Sequence, residues 1–155
     1  MRARLRQRRA QSMVEFAVLA PIFFMLLLGT IDLGRAIYIY NSISNAAREG
    51  ARAAVPYDTP LPTSTTVLAA VQSKLGGGFT LTTDPCIGGG AVTCPSTPNT
   101  PNTGYIWYSS SVGQTGHHPV TVKITYLFQP WVPVIRDASG NGVTMTAEST
   151  MVTEY

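Results

Sequence analysis

From Phe16 to Ile31 the chain reads FAVLAPIFFMLLLGTI, a run without a charge, and apolar positions resume beyond Asp32 at Leu33, Ala36, Ile37 and Ile39. With its flanks this reaches the roughly 20 residues that cross a bilayer core of about 30 Å. The helical pattern continues through NSISNAAREGARAAV, Asn41 to Val55, where Ala46, Gly50 and Ala54 recur at i, i+4 and make one face narrow enough for close packing. A continuous helix from about Ser12 to Val55 would be roughly 65 Å long at 1.5 Å per residue, so about half of it must protrude beyond a membrane. Pro21 removes one backbone hydrogen bond and should bend the segment, a break that membrane helices tolerate more easily than soluble ones.

After Val55 the pattern changes. Pro56, Pro60 and Pro62 end the helix and form a short linker. Thr63 or Ser64 can cap a second helix, Thr65 to Leu75, with Val67, Leu68, Val71 and Leu75 on its apolar face and Gly76 to Gly78 stopping it. Short strands are predicted over 79–83 and 105–108. The clearest strand is 120–128, with Val120, Val122, Ile124, Tyr126 and Phe128 on one face. Residues 142–153, after the Asn141-Gly142 turn signal, suit an antiparallel partner. The expected fold is α+β: a long N-terminal transmembrane helix continuing into a domain with a second helix and a small antiparallel sheet, which the long helix covers.

Composition agrees with one small domain and one membrane segment. The 155 residues are 45% hydrophobic and only 12% charged, low for a freely soluble domain. The formal charge is +3, yet Arg2, Arg4, Arg6, Arg8 and Arg9 all fall in the first ten residues, and without them it is −2. By the positive-inside rule residues 1–9 stay in the cytoplasm and everything after Tyr40 lies outside, with Tyr38 and Tyr40 at the outer interface. A cleavable secretory signal is the rival reading, with Gly34-Arg35-Ala36 as a poor cleavage site, but the apolar run exceeds the usual core of about 7–15 residues. Nucleic-acid binding would need basic residues spread over a folded face, and beyond Arg9 they are scattered. The chain divides into a basic leader (1–10), a long helix (11–55) and an extracytoplasmic α+β part (56–155).

Few positions suggest chemistry. Asp32 and Arg35, three apart on one helical face, can form an ion pair near the outer edge of the bilayer. Glu15 can stay at the cytoplasmic interface, near the positive end of the helix dipole. Cys86 and Cys94, in the part placed outside by topology, most economically form one disulfide. A metal site is not expected: the nearest further ligands, His117 and His118, point to opposite faces of an extended chain. No nucleophile elbow, paired-carboxylate motif or phosphate loop is present, so neither enzyme activity nor a cofactor is expected. Trp107 and Trp131 read as packing residues.

The stretch from Gln11-Ser-Met-Val-Glu-Phe-Ala-Val-Leu-Ala-Pro21, through Gly29-Thr-Ile-Asp-Leu-Gly-Arg35, to Asn45-Ala-Ala-Arg-Glu-Gly-Ala-Arg52 resembles the TadE-like family of pilus assembly proteins over about residues 11 to 54. The resemblance implies a minor pilin-like, or pseudopilin, component of the tight-adherence (Flp-type) pilus machinery, held in the cytoplasmic membrane and supporting surface attachment. Its implied partners are the lipid bilayer, other pilin-like subunits, the secretion machinery and a prepilin peptidase. In pilin precursors the acid is the fifth mature residue, which makes Gln11 the first mature residue and Ala10 the last of the leader, where glycine is commoner. Glu15 could then pair with the new α-amino group of Gln11 on a neighbouring subunit and set its register. From another functional class, a permanently anchored ligand-binding or sensory domain would use the same helix only as a tether.

Overall fold

The structure, a computed structural model, describes residues 2–57, 60–76, 78, 80–88, 94–140 and 142–154, and for residues 2–10 and 12 the backbone alone. Helix α1, Arg2–Ala53, runs without interruption through Pro21 and is about 78 Å long at the standard rise. Helix α2, Ser64–Lys74, begins at the Thr63 cap, whose hydroxyl accepts from the Thr66 N–H while the Thr66 hydroxyl accepts from the Thr63 N–H. This capping box satisfies two otherwise orphan donors and fixes where the helix starts.

Four strands form one sheet in the order β1-β2-β3-β4: Thr80–Thr83, Thr103–Tyr108, Pro119–Phe128 and Val143–Val152. The β2–β3 and β3–β4 pairs are antiparallel, but β1 pairs parallel to β2, Thr80 opposite Thr103, so the small sheet is mixed rather than wholly antiparallel. A single turn of 3₁₀ helix, Pro85–Gly88, follows β1. Strands β3 and β4 are not joined by a tight hairpin at Asn141-Gly142. Residues 129–142 intervene and include a short third helix, α3, Pro133–Ala138. Asn141 lies outside the described residues; Gly142 has φ +117°, and a Cβ there would fall 2.6 Å from the Phe128 carbonyl oxygen.

The core lies where the upper half of α1 crosses α2 and the sheet. Ile43, Ala46 and Ala51 from α1, Ala54 just after it, Val67 and Val71 from α2, and Val120, Val122 and Ile124 from β3 are fully buried. Each large aliphatic among them contributes about 1.5–3 kcal/mol relative to exposure. The narrow face of α1 is used within the chain. A Cβ on Gly50 would stand 2.5 Å from Val71 Cγ2 and 3.3 Å from Val122 Cγ1, so glycine is what lets three elements meet there.

Among the described residues, the lower half of α1 has no such cover. An 18-residue window with mean hydropathy 2.2 has none of its residues buried, and the helix is long and apolar enough to cross a membrane. Phe16, Leu19, Leu26 and Leu33 are all more than 60% exposed. Side chains of this kind lose their cost only in lipid or against other helices. The α+β architecture with one long N-terminal apolar helix therefore matches the expectation from the hydrophobic pattern.

Candidate functional site

At the junction of the bare and covered halves of α1 sits Asp32, 4% exposed although its neighbours Ile31 and Leu33 face outward. Helical spacing sets Arg35 beside it, and Arg35 Nη1 donates to Asp32 Oδ1 at 3.0 Å. That bond occupies one carboxylate oxygen. The other, Oδ2, accepts from the backbone N–H of Trp131 at 2.8 Å and of Val132 at 2.9 Å.

The acceptor and its two donors lie about a hundred residues apart in sequence, and the local chemistry explains why they meet. β3 ends at Phe128, and the chain continues Gln129-Pro130-Trp131-Val132-Pro133 into α3. Pro130 and Pro133 have no N–H, so Trp131 and Val132 are a pair of consecutive donors freed from any strand ladder. Val132 is the N-cap of α3 and has no side chain that could cap it. Asp32 satisfies the donors that the two prolines isolate. Hydrogen bonds of this charge-assisted kind contribute about 1.5–3 kcal/mol each.

Arg35 holds the same loop by a second means. Its guanidinium lies 3.7 Å from the centroid of the Trp131 ring and 5.2 Å from that of Phe128. A flat delocalised cation on an aromatic face adds about 0.5–1 kcal/mol where exposed and more where desolvated. Arg35 and Trp131 also border a cleft of about 530 Å³ together with Tyr38, Asn102 and Tyr126. Burial raises the pKa of the Tyr126 hydroxyl, against the opposing pull of the Arg35 charge. On the other side of Asp32 is a smaller hollow of about 220 Å³, lined by Gly29, Leu33, Phe128, Ile135 and Met145.

A second buried carboxylate organises the cysteine loop. Asp84, 2% exposed, accepts from the Cys86 N–H at 2.9 Å through Oδ1 and from the Ser96 N–H at 2.8 Å through Oδ2. Cys86 and Cys94 are joined in a disulfide, with Cα atoms 5.6 Å apart. The two ends of the loop are thus tied both covalently and by one side chain. Residues 89–93 between the cysteines lie outside the described residues.

The histidines serve the C-terminal end of the sheet. His117 Nδ1 lies 2.9 Å from the Thr153 carbonyl oxygen, and His118 Nε2 lies 3.0 Å from that of Thr115. The buried Thr153 hydroxyl accepts from the His118 N–H and donates to the Gly116 carbonyl. Among the described residues no three His, Cys, Asp or Glu side chains gather as metal ligands would.

Near the N-terminus, Ala10 and Gln11 are consecutive residues of α1, and the side chain of Ala10 lies outside the described residues. Glu15 is exposed, and its Oε1 accepts from Gln11 Nε2 on the same helix at 3.4 Å.

The family model described as TadE-like protein matches residues 10–52. The matched stretch takes up most of the length of helix α1. The match begins just after the arginine cluster and stops one residue short of the end of α1, so it covers Glu15, Pro21, Asp32, Arg35 and Gly50 and none of the sheet. Two of the places where the rest of the chain is fastened, Asp32 and Gly50, are therefore within the matched stretch. No curated protein and no solved structure matches the chain.

Sequence reasoning placed Asp32 beside Arg35 but did not foresee their common partner, the loop at Trp131. The signal was Pro-Trp-Val-Pro, two prolines isolating two N–H groups. It also missed Asp84, whose signal was an acid two residues before a cysteine, a spacing that suits a side-chain turn onto the backbone.

Proposed function

We propose that this chain is a minor pilin-like membrane protein that takes part in assembling a tight-adherence (Flp-type) pilus and so supports surface attachment. The observation that carries the reading is the TadE-like match along a helix whose lower half is apolar and uncovered while its upper half is built into a small α+β domain. A tether alone would not need its membrane end fixed to its domain by two hydrogen bonds and a stacked guanidinium. A subunit pulled from membrane to fibre would, because force on the helix must reach the domain as one body.

In this reading residues 1–10 are a cytoplasmic leader, α1 crosses the cytoplasmic membrane, and the part from residue 56 is extracytoplasmic. The arginine cluster supports that orientation. The role is structural, with no catalytic group or cofactor. The partners are the bilayer, other pilin-like subunits and the pilus secretion machinery, with a prepilin peptidase acting between Ala10 and Gln11. Glu15, exposed on the bare half of α1, would then meet the α-amino group of Gln11 on a neighbour.

The test is the Glu15→Gln substitution, read in two fractions of the same cells. Membrane insertion should persist, since removing a charge lowers the cost of entering lipid by up to a few kcal/mol. Sheared fibres and surface attachment should be lost. Normal fibres from the variant would reduce Glu15 to an interfacial acid, and absence of the wild-type chain from all sheared fibres, with fibre yield unchanged by its deletion, would favour the anchored ligand-binding domain.

A further inference from the structure

We propose that α3 and the Trp131 loop form a membrane-contacting collar, a second lipid contact through which the domain dips into the leaflet on its own side. The proposal rests on the reading of α1 as membrane-spanning.

The position follows from the helix. A bilayer core of about 30 Å needs roughly 20 helical residues. The uncharged run of α1 ends at Ile31, so with Glu15 at one interface the hydrocarbon boundary on the domain side falls at or just beyond Ile31. Gly29 lies inside it. The Ile135 Cδ1 atom would be 3.7 Å from a Cβ at Gly29, so α3 lies against α1 at a level inside the hydrocarbon. Trp131 is fastened to Asp32 and stacked on Arg35, which sets it at the boundary where tryptophan is favoured.

The chemistry of the surface agrees with the level. Trp131 is 66% exposed, Val134 58% and Ile135 38%, and Val143, where β4 begins, is 46% exposed. These residues gather at one end of the sheet. β3 runs antiparallel to α1, with Val122 beside Gly50 and Phe128 beside Arg35, so the Phe128 end is the end that faces the bare half of the helix. An amphipathic element whose apolar side sinks about 5–10 Å into the boundary layer has this composition.

Lipid is the occupant because the surface is continuous with one that lipid must already cover. Leu26 and Leu33 flank Gly29 on α1, are 69% and 61% exposed, and share an apolar groove with Ile135. A bilayer that covers those leucines at this level cannot stop short of the side chain packed between them.

The full-length chain is reconstituted in phosphatidylcholine vesicles as two single-tryptophan variants. Trp107→Phe keeps Trp131. Trp131→Phe keeps Trp107, which pairs with Lys123, five residues from Phe128 along β3 and so roughly 17 Å further from the membrane. Flotation with the vesicles reports insertion, and emission is followed with acyl chains brominated near the headgroup or near the tail end. The expected result is that Trp131 loses most of its emission to the shallow bromines and little to the deep ones, while Trp107 is unaffected by either. Val134→Asp with Ile135→Asp should still float and should release Trp131 from quenching. A chain that floats with Trp131 unquenched overturns the collar and leaves the anchor standing, whereas failure to float overturns both. Trp131 unquenched together with disulfide-linked pairs of a Val134→Cys chain would assign the surface to a neighbouring subunit instead.

Discussion

Replacing Asp32 by asparagine keeps the shape of the clamp and removes one acceptor. In the native chain Oδ2 accepts from the Trp131 and Val132 amides at 2.8 and 2.9 Å while Oδ1 accepts from Arg35 at 3.0 Å. An amide offers one oxygen and one NH₂, so in either orientation a donor faces a donor. The less costly orientation keeps the oxygen on the two backbone groups and sets the NH₂ against Arg35, whose side chain is 25% exposed and can turn toward water. The loss is then one charge-assisted bond at the low end of about 1.5–3 kcal/mol, plus the weakening of two others toward the neutral value of about 0.5–1.5 kcal/mol. The total is about 3 kcal/mol, or about a hundredfold at 1.4 kcal/mol per factor of ten.

That loss falls on the docking of residues 130–138 against α1 rather than on the sheet, whose β3–β4 ladder from Pro119–Val152 to Phe128–Val143 does not involve Asp32. Hydrogen exchange resolves the two. The Trp131 and Val132 amides should exchange about a hundredfold faster in Asp32→Asn, as expected of a local opening, while those of β3 such as Ile124 change little. Unchanged protection at Trp131 and Val132 would refute the clamp. Equal loss of protection across β3 would refute its locality.

Gly50→Ala should lower the melting temperature even though alanine is the better helix former by about 1 kcal/mol, because the new methyl meets Val71 and Val122 and overpacking costs about 1–3 kcal/mol. Adding Val71→Ala should recover part of the loss, and circular dichroism melts of the single and double variants check both. Thiol labelling without reductant should find neither Cys86 nor Cys94 free, and replacing both by serine should cost about 2–3 kcal/mol in a denaturant titration. The folded chain holds the proton on Tyr126 more tightly than the usual tyrosine value of 10.0, so its contribution to stability is intact below that pH and is lost as the pH rises above it. Urea midpoints on either side of pH 10 should show a decrease on the alkaline side that Tyr126→Phe removes.

What was legible in the sequence is what short-range periodicity encodes. The i, i+4 spacing of Ala46, Gly50 and Ala54 announced a close-packed face, and all three are buried. The alternation from Val120 to Phe128 announced the central strand and its buried side. The parallel pairing of β1 and the existence of α3 were not legible in this way. β1 has four residues with no buried side chain to set a pattern, and α3 buries none of its own residues. Both are placed by contacts with distant parts of the chain rather than by their own periodicity.

Asp32 marks the boundary between the two kinds of information. An acid in an apolar helix is costly unless paired, and Arg35 at i+3 is close enough in sequence to be read as its partner. One guanidinium nitrogen, however, satisfies one carboxylate oxygen, and the second oxygen has further lone pairs that a buried site must fill. The sequence therefore implied another donor without giving its address. The segment Pro130-Trp131-Val132-Pro133 implied the converse, two adjacent N–H groups with no ladder to enter. Neither half is decisive alone, because any buried acid and any proline-flanked dipeptide raise the same question. Their pairing across a hundred residues ties the helix to the domain, and it explains how an acid can stand buried at the point where the bare half of the helix ends.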